Sequence, residues 1–140
     1  MAPGYDTIEE GDDLPSVVRR TSRLSTLKFI AASWMWEEDF FYDQEAAVAT
    51  GLPGPILPGP YKFALLQQYL VHWLGRVHGI HRLQVSHRRP DPHESTLTLG
   101  GTVTRKYRDG DARLLDLELF IDQESGERCV RASATVELDT

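Results

Sequence analysis

The sequence predicts an α+β fold in which a curved antiparallel sheet wraps around one long central helix. Residues 60–76 carry apolar side chains on nearly every face, which is typical of a helix that is buried on most sides. After this segment, apolar and polar residues alternate in three or four stretches, as they do in strands with one buried face. The turn at 108–111 joins two of these stretches and predicts a tight hairpin.

The N-terminal part is predicted to contain an arm, a short strand and a helix. Residues 1–15 are acidic and contain glycine and proline, so we expect an extended arm with a turn. The valines at 17–18 indicate a short first strand. A helix is predicted over 25–36, with Ser22 or Ser25 as its cap, because a hydroxyl group accepts a free backbone N–H. Its apolar residues recur at helical spacing: Leu27, Ile30, Ala31 and Trp34.

A second short helix and a rigid turn lead into the central helix. The short helix is predicted over 43–50, because Asp43 can cap its start, alanine favours its body and Gly51 can end it. Residues 52–60 are rich in proline and glycine and cannot be helical. Pro60 suits the first turn of the helix that follows.

The remaining residues are predicted to be strands. Gly100 and Gly101 interrupt one of them and indicate either a bulge or a close approach of another chain segment. The basic run at 87–89 is interpreted as a solvated strand end. The last predicted strand alternates to the end of the chain: Val130, Ala132, Ala134, Val136 and Leu138.

Length and composition limit the functional classes. The 140 residues fit one domain, 1–140, and the net charge of −6 argues against a nucleic-acid partner. No apolar run approaches the ~20 residues of a membrane span, and the N-terminus lacks the pattern of a secretory signal. The single Cys129 cannot form an internal disulfide, so we expect a cytoplasmic protein. The histidines lack the spacing of a zinc site, so neither a metal nor another cofactor is expected.

Three segments resemble the MaoC-like acyl-thioester hydratases and dehydratases of the hotdog superfamily. DQEAAVATG at 43–51 is similar to the family's D-x-E-x-A-x-x-x-G helix. ILPG at 56–59 is similar to its I-x-x-G entry into the central helix. HRRPDPHESTL at 87–97 is similar to its R-x-x-x-P-x-x-P-G-D-T-L connection, with His-Glu where Gly-Asp is usual. Together the segments imply a hotdog fold over roughly residues 20–138.

The resemblance departs at the catalytic loop, which in the family reads approximately G-D-x-N-P-I-H-x-D. Aligned on Asp43, the family's histidine position falls on Phe41 and its aspartate position falls on Trp36, so both catalytic groups are absent. A shift of register supplies no histidine, because none occurs before His72. Such a shift does bring one of the three acids at 37–39 near the site.

Adding water to an acyl thioester, or removing it, needs a group that stabilises the carbonyl oxygen and a group that moves a proton. The backbone at Gly59 can meet the first need, since the start of a helix presents free N–H groups; alternatively, this glycine only permits a tight turn. For the proton, the candidates are Glu38 or Asp39 packed against aromatic side chains, with Tyr42 as a hydrogen-bond donor. The alternatives are an exposed acidic loop and a tyrosine that only packs.

Lys62 is expected either to face a phosphate of the carrier or to be an ordinary surface lysine. The predicted substrate-binding residues are Trp36, Phe41, Pro58, Gly59, Tyr61 and Lys62.

An aromatic cluster precedes the second helix and is interpreted first as core or interface. It comprises Trp34, Trp36, Phe40, Phe41 and Tyr42. It is also suited to floor a pocket for a bulky apolar acyl group, such as a polyketide or steroid-derived chain. The segment LQQYLVHW at 66–73 is similar to helices of actinobacterial steroid side-chain hydratase subunits, which favours such a substrate.

Three functions are compatible with the resemblance. The first is a lyase of the dehydratase or hydratase type, or an enzyme of a related thioester or cyclisation reaction, with non-standard acid and base groups. The second is a non-catalytic substrate-binding subunit whose partner carries the aspartate and histidine, and the third is a plain acyl-binding module. The implied partners are an acyl-CoA or acyl-carrier-protein substrate and a second hotdog chain, in a homodimer or a heterodimer.

Overall fold

Five antiparallel strands and one long helix form the centre of the molecule, whose computed structural model describes residues 2–139. The strands are β1 (Asp13–Arg20), β2 (Ile80–His87), β3 (Thr96–Asp109), β4 (Ala112–Asp122) and β5 (Arg128–Glu137). Their order in the sheet is β1-β3-β4-β5-β2, and all neighbours are antiparallel. The helices are α1 (Arg23–Ala32), α2 (Gln44–Ala49) and α3 (Gly59–Leu74), with a 3-10 turn at Asp39–Phe41. The predicted α+β architecture is confirmed, with four strands after the central helix.

Helix α3 is the central helix, and its bounds differ from the predicted 60–76 by one or two residues. Leu66 and Leu70 are completely buried against the sheet. Gly75 ends the helix in the left-handed conformation, with φ of 74°, where glycine has no steric penalty. The core partners of α3 come mainly from the three middle strands: Leu97, Leu99, Leu115, Leu117, Ile121, Val130 and Val136. No helix within residues 2–139 has the length and apolarity needed to cross a lipid bilayer.

The paired glycines of β3 mark a close approach. A Cβ atom on Gly100 would lie 2.6 Å from the ring of Phe120, and one on Gly101 would lie 2.5 Å from the carbonyl oxygen of Glu118. Both contacts are shorter than a real Cβ atom tolerates. Strand β4 therefore approaches β3 too closely for any side chain at positions 100 and 101. The bulge in this pair of strands lies further along, after Val103.

The N-terminal segment corrects the prediction of an extended arm over 1–15. Tyr5 and Ile8 are buried in the core, with exposed fractions of 6% and 2%, and the chain around them forms turns. The Lys106 ammonium group donates to the Ile8 carbonyl at 2.8 Å and fixes this segment to β3. Strand β1 then begins at Asp13, so it is longer than the two valines indicated.

Helix α1 starts as expected but ends four residues before the predicted 36. Ser22 is the N-cap, and its hydroxyl oxygen accepts a hydrogen bond from the Ser25 N–H. The Ser25 hydroxyl oxygen in turn accepts one from the Ser22 N–H, so the two alternative caps together form a capping box. Trp34 has φ of 57°, which takes the chain out of the helical path. Its side chain is 76% exposed, so its predicted place on the buried stripe is wrong.

Helix α2 agrees with the prediction. The Asp43 carboxylate accepts a hydrogen bond from the Ala46 N–H at 2.9 Å, which is the expected cap. Gly51, with φ of 91°, lies just past the helix end. This short helix places the proline-rich turn that leads to α3.

Candidate functional site

The first turn of α3 leaves one backbone donor free. Pro58 and Pro60 carry no N–H, and the Tyr61 N–H donates to the Pro58 carbonyl at 3.0 Å. The Lys62 N–H points to the same carbonyl at 3.4 Å. Within residues 2–139, the Gly59 N–H makes no hydrogen bond. The positive end of the helix dipole is therefore concentrated at a single accessible N–H group.

A cavity of about 340 Å³ lies beside this helix start. The loop before α3 forms one wall, and the end of β2 with the connection that follows forms the other. The lining residues are Ile56, Leu57, Gly59, Lys62, His87, Arg88, Arg89 and Pro90. Two of the predicted substrate-binding residues, Gly59 and Lys62, thus border the same space.

The imidazole of His87 packs directly on Gly59. A Cβ atom placed on Gly59 would lie 2.9 Å from the His87 Nε2 atom, so only glycine allows this contact without a movement of the ring. Within the described chain the ring makes no hydrogen bond. Partial burial, and next the positive charge of Lys62, lower the pKa of His87 below its usual value. The ring is therefore neutral at pH 7 and able to accept a proton.

Lys62 is buried, which contradicts the expectation of a solvent-facing lysine. Its ammonium group donates to the Asp91 carboxylate and to the Arg89 carbonyl, both at 2.9 Å. The exposed fractions of Lys62 and Asp91 are 2% and 1%. The other carboxylate oxygen of Asp91 accepts a hydrogen bond from the Gln123 amide at 2.8 Å. This clasp, formed by Lys62, Asp91 and Gln123, holds the β2–β3 connection against α3.

The proposed acid residues are far more exposed than the sequence interpretation assumed. Glu38 and Asp39 both face solvent in the 3-10 turn region, so the aromatic side chains do not enclose their carboxylates. Tyr42 donates its hydroxyl hydrogen bond to the Trp36 carbonyl at 2.5 Å. None of these residues lines the cavity beside Gly59. Their catalytic roles stay predictions.

The aromatic cluster divides into two parts. Trp34 and Trp36 contact each other with tilted rings whose centroids are 4.6 Å apart, and both are exposed, so their interpretation as core residues is wrong. Phe41 is buried and contacts Phe40, with centroids 4.4 Å apart. Their role as an interface stays a prediction.

The other two predicted substrate-binding residues support the helix start. Pro58 is the N-cap residue of α3 and is buried. Tyr61 directs its hydroxyl group to the Ser25 hydroxyl at 3.1 Å, and its ring lies 4.9 Å from that of Phe29. Tyr61 thus connects α3 to α1 and is not part of the cavity wall.

A second cavity lies next to the first. It measures about 300 Å³ and shares Ile56 and Pro90 with the cavity beside Gly59. Its further walls come from the start of α2 and the proline-rich turn: Gln44, Pro53, Gly54 and Pro55. The Leu57 N–H donates to the Asp91 carbonyl at 2.8 Å and fixes the turn beneath both cavities. The two cavities are neighbours, since Ile56 and Pro90 line both of them.

Sequence reasoning missed two histidines. His87 is exposed at the end of β2, as the interpretation of 87–89 as a solvated strand end expects, but its contact with Gly59 had no local signal. His93 was placed in a polar turn but is buried, and its Nε2 donates to the Phe41 carbonyl at 2.6 Å. Its Nδ1 is buried without a partner in the described residues. His93 therefore holds the aromatic loop to the β2–β3 connection.

Among residues 2–139 there is neither a group of side chains arranged to bind a metal ion nor a reactive cysteine. No group of three or more histidine, cysteine, aspartate or glutamate residues there is arranged to hold a metal ion. Burial raises the pKa of the Cys129 thiol to about 12, with the Asp91 charge adding to the shift. Cys129 therefore stays protonated and is not a nucleophile at neutral pH.

Comparison with known proteins gives matches in structure alone. No family model and no curated protein matches the sequence. The ChsH1-ChsH2 complex from Mycobacterium tuberculosis contains a chain that is 22% identical, with a TM-score of 0.81 over 95% of this chain and 99% of that one. The (R)-hydratase from A. caviae involved in PHA biosynthesis is 21% identical, with a TM-score of 0.81 over 95% and 98% of the two chains.

A MaoC-like dehydratase from Rhodospirillum rubrum is 20% identical, with a TM-score of 0.84 over 98% of this chain and 97% of that one. These likenesses extend over nearly the whole chain. The protein has the hotdog fold, the fold of these MaoC-like dehydratases and (R)-hydratases.

Proposed function

We propose that this protein binds an acyl thioester at the start of α3 and acts as a MaoC-like hydratase or dehydratase in the cytoplasm. One observation carries the proposal. Gly59, whose N–H makes no hydrogen bond within residues 2–139, and the His87 ring, which contacts Gly59, both line a cavity of about 340 Å³. The N–H can stabilise an oxygen that becomes negatively charged, and the imidazole can accept a proton.

The Gly59 N–H is suited to the thioester oxygen. Hydration of an α,β-unsaturated thioester makes this oxygen enolate-like, and a preorganised N–H at a helix start stabilises the developing charge. The prolines on either side of Gly59 remove competing donors, so one hydrogen bond fixes the position of the oxygen. A side chain at 59 would occupy the same space, which accounts for glycine there.

The second cavity is suited to the acyl chain. Four prolines and Ile56 line it together with Gln44, Gly54 and Asp91, and two of its lining residues also line the first cavity. A thioester held at Gly59 can therefore extend an apolar chain toward Gln44. The predicted bulky acyl group, such as a polyketide or steroid-derived chain, fits this shape better than a polar one.

The carrier is proposed to reach the site past Arg88 and Arg89. Both arginines border the first cavity and face solvent, and arginine binds phosphate groups well. Arg89 lies 3.5 Å from the Glu127 carboxylate, so Arg88 is the freer of the two. These residues take the phosphate-binding role that the sequence interpretation gave to Lys62. CoA and an acyl carrier protein each present a phosphopantetheine phosphate, so the proposal includes both as carriers.

A binding and turnover assay tests this function. Calorimetric titration with butyryl-CoA, which has no double bond to hydrate, measures thioester binding alone. Loss of the enoyl absorbance of crotonyl-CoA and of a long trans-2-enoyl-CoA measures hydration. We expect binding of butyryl-CoA and hydration of at least one enoyl-CoA. If neither CoA esters nor matched acyl-carrier-protein esters bind, the proposal is wrong.

The alternative is a non-catalytic subunit of a heteromeric hotdog dehydratase. The position of the family's histidine is Phe41, and the solved complexes ChsH1-ChsH2 and HadBC each pair two named components. Strand β2 is at the edge of the sheet, so its outer backbone groups can pair with a second chain. Thioester binding without turnover, followed by turnover once a second hotdog chain is added, would favour this alternative. Turnover by a homodimer favours the first function.

A further inference from the structure

We propose that His87 is the group that moves the proton in this site, in place of the loop residues that the fold's relatives would suggest. The inference rests on the proposed function, because it takes the Gly59 N–H as the site of the thioester oxygen. It assigns a catalytic role to the last residue of β2, which lies outside the loop at 36–42.

Three features of the cavity place His87 in this role. The ring stands on the cavity wall and contacts Gly59, so it lies next to the N–H that would hold the thioester oxygen. Neither ring nitrogen makes a hydrogen bond within the described residues. The only residue at 59 that permits the contact is glycine, because a Cβ would approach Nε2 to 2.9 Å.

Partial burial, and next the positive charge of Lys62, lower the pKa of His87 and favour its neutral form. Lys62 of α3 and Arg88 and Arg89 of the following connection border the same cavity, and all three are cations. The nearest acid of the clasp, Asp91, is held by Lys62 and by Gln123. A ring among cations is neutral at pH 7 and is available as a base.

The proposed step balances without another reactant. His87 removes one proton from a water molecule while the water oxygen bonds to Cβ of the enoyl thioester. The electron pair of the double bond moves to the thioester oxygen, which the Gly59 N–H stabilises as an enolate. The imidazolium then delivers its proton to Cα, the carbonyl reforms, and His87 is again neutral. Dehydration follows the same steps in reverse.

Three of the other four histidines are engaged elsewhere, and the fourth, His78, does not line the cavity beside Gly59. His93 donates to the Phe41 carbonyl, and His81 contacts the Glu137 carboxylate at 2.8 Å. His72 accepts a hydrogen bond from Arg19 at 3.5 Å, and these two residues line a different cavity, beside β1. None of the three lines the cavity beside Gly59.

The test uses His87→Gln, with His81→Gln as the matched control on the same strand. We expect His87→Gln to lower kcat by about 10²- to 10⁴-fold, the usual share of a general acid–base group. Its KM and its affinity for butyryl-CoA should stay within about threefold of the wild-type values, as a proton-transfer role requires. His81→Gln should retain kcat within about twofold. His87→Asn serves as a second variant if the glutamine variant is poorly folded.

The pH profile separates proton transfer from a merely structural role. In the wild type, kcat/KM should fall on the acid side as His87 becomes protonated, with an apparent pKa below the usual histidine value. This acid limb should disappear in the residual activity of His87→Gln. A variant that keeps wild-type kcat, or keeps the acid limb, overturns the role of His87.

Failure of the two proposals can be told apart. If the wild type binds butyryl-CoA but hydrates no enoyl thioester, thioester binding stands and the role of His87 is wrong. If no acyl thioester binds, the proposed function fails and the role of His87 fails with it.

Discussion

Within the described residues, the start of α3 and the loop at 36–42 differ in which of their polar groups have hydrogen-bond partners. At α3, the side chain of Lys62 is buried in a clasp, while the Gly59 N–H and the His87 ring have no hydrogen-bond partner within residues 2–139 and both residues border a cavity. In the loop, the Tyr42 hydroxyl and the Phe41 carbonyl are engaged in hydrogen bonds, and the acids face solvent. The comparison teaches that the polar groups that border a cavity lie at the helix start, whereas those of the loop are hydrogen-bonded or solvated.

The clasp is the physical basis of this difference. A buried ion pair is stable only when its remaining hydrogen-bonding groups are satisfied, and Asp91 meets that condition through Gln123. The clasp fixes the connection that carries Arg88 and Arg89, and it places a permanent positive charge near His87. The loop has no comparable buried charge and is tied to the sheet by His93.

Removing one partner of the clasp should have the largest effect. Lys62→Met leaves the Asp91 carboxylate buried without its cation, so we expect a loss of about 3–5 kcal/mol in the free energy of unfolding. Urea denaturation measures the loss. The double variant Lys62→Met/Asp91→Leu removes both charges and should recover most of it. A single variant within about 1 kcal/mol of the wild type would contradict a buried, tightly held pair.

Adding one carbon at the helix start should mainly affect binding. In Gly59→Ala, the new Cβ meets the His87 ring at 2.9 Å and lies at the free N–H. We expect affinity for butyryl-CoA to fall about tenfold or more, equivalent to about 1.4 kcal/mol, with little loss of stability. Gly4→Ala is the control, because a Cβ atom there meets nothing within 4 Å and Gly4 borders neither of the two proposed binding cavities. Equal affinities in the two variants would place the thioester elsewhere.

Backbone strain in the aromatic loop should give a smaller effect. Trp34 has φ of 57°, a conformation that glycine adopts freely and alanine does not. We therefore expect Trp34→Gly to be more stable than Trp34→Ala by about 1 kcal/mol in thermal unfolding. Both variants lack the ring, so the comparison isolates the backbone. At Trp36, where φ is not positive, alanine should be the more stable residue, and the same order at both positions would show that no strain is stored at Trp34.

Neutralising the loop acids should have the smallest effect. Glu38 and Asp39 are exposed, so Glu38→Gln and Asp39→Asn should change stability by less than about 0.5 kcal/mol. Enoyl-CoA hydration should also stay within about twofold of the wild-type rate. Loss of turnover in either variant would return the acid and base role to the loop and would remove the contrast with α3.

The sequence predicts the elements whose signals are local. Apolar periodicity locates α3, and Gly75 and the proline-rich turn mark its ends because backbone conformation depends on the residue itself. Gly100 and Gly101 likewise indicated a close approach that β4 supplies. Each of these features can be predicted from a few consecutive residues of the sequence.

The site depends on pairs that are distant in sequence. Lys62 and Asp91 are 29 residues apart, and the contact of His87 with Gly59 depends on how β2 passes the helix start. A lysine in a sequence is usually exposed, so nothing near Lys62 indicated its burial. The arm was mispredicted for the same reason, because Tyr5 and Ile8 find their core partners only in the folded chain.

The most direct test of the account is the amide chemical shift of Gly59 during titration with butyryl-CoA, followed by two-dimensional NMR of the ¹⁵N-labelled protein. A hydrogen bond to the thioester oxygen should move the Gly59 amide proton downfield, with accompanying changes in the His87 ring resonances. Saturable binding that leaves Gly59 unchanged and shifts only the amides of residues 36–42 would contradict the central claim.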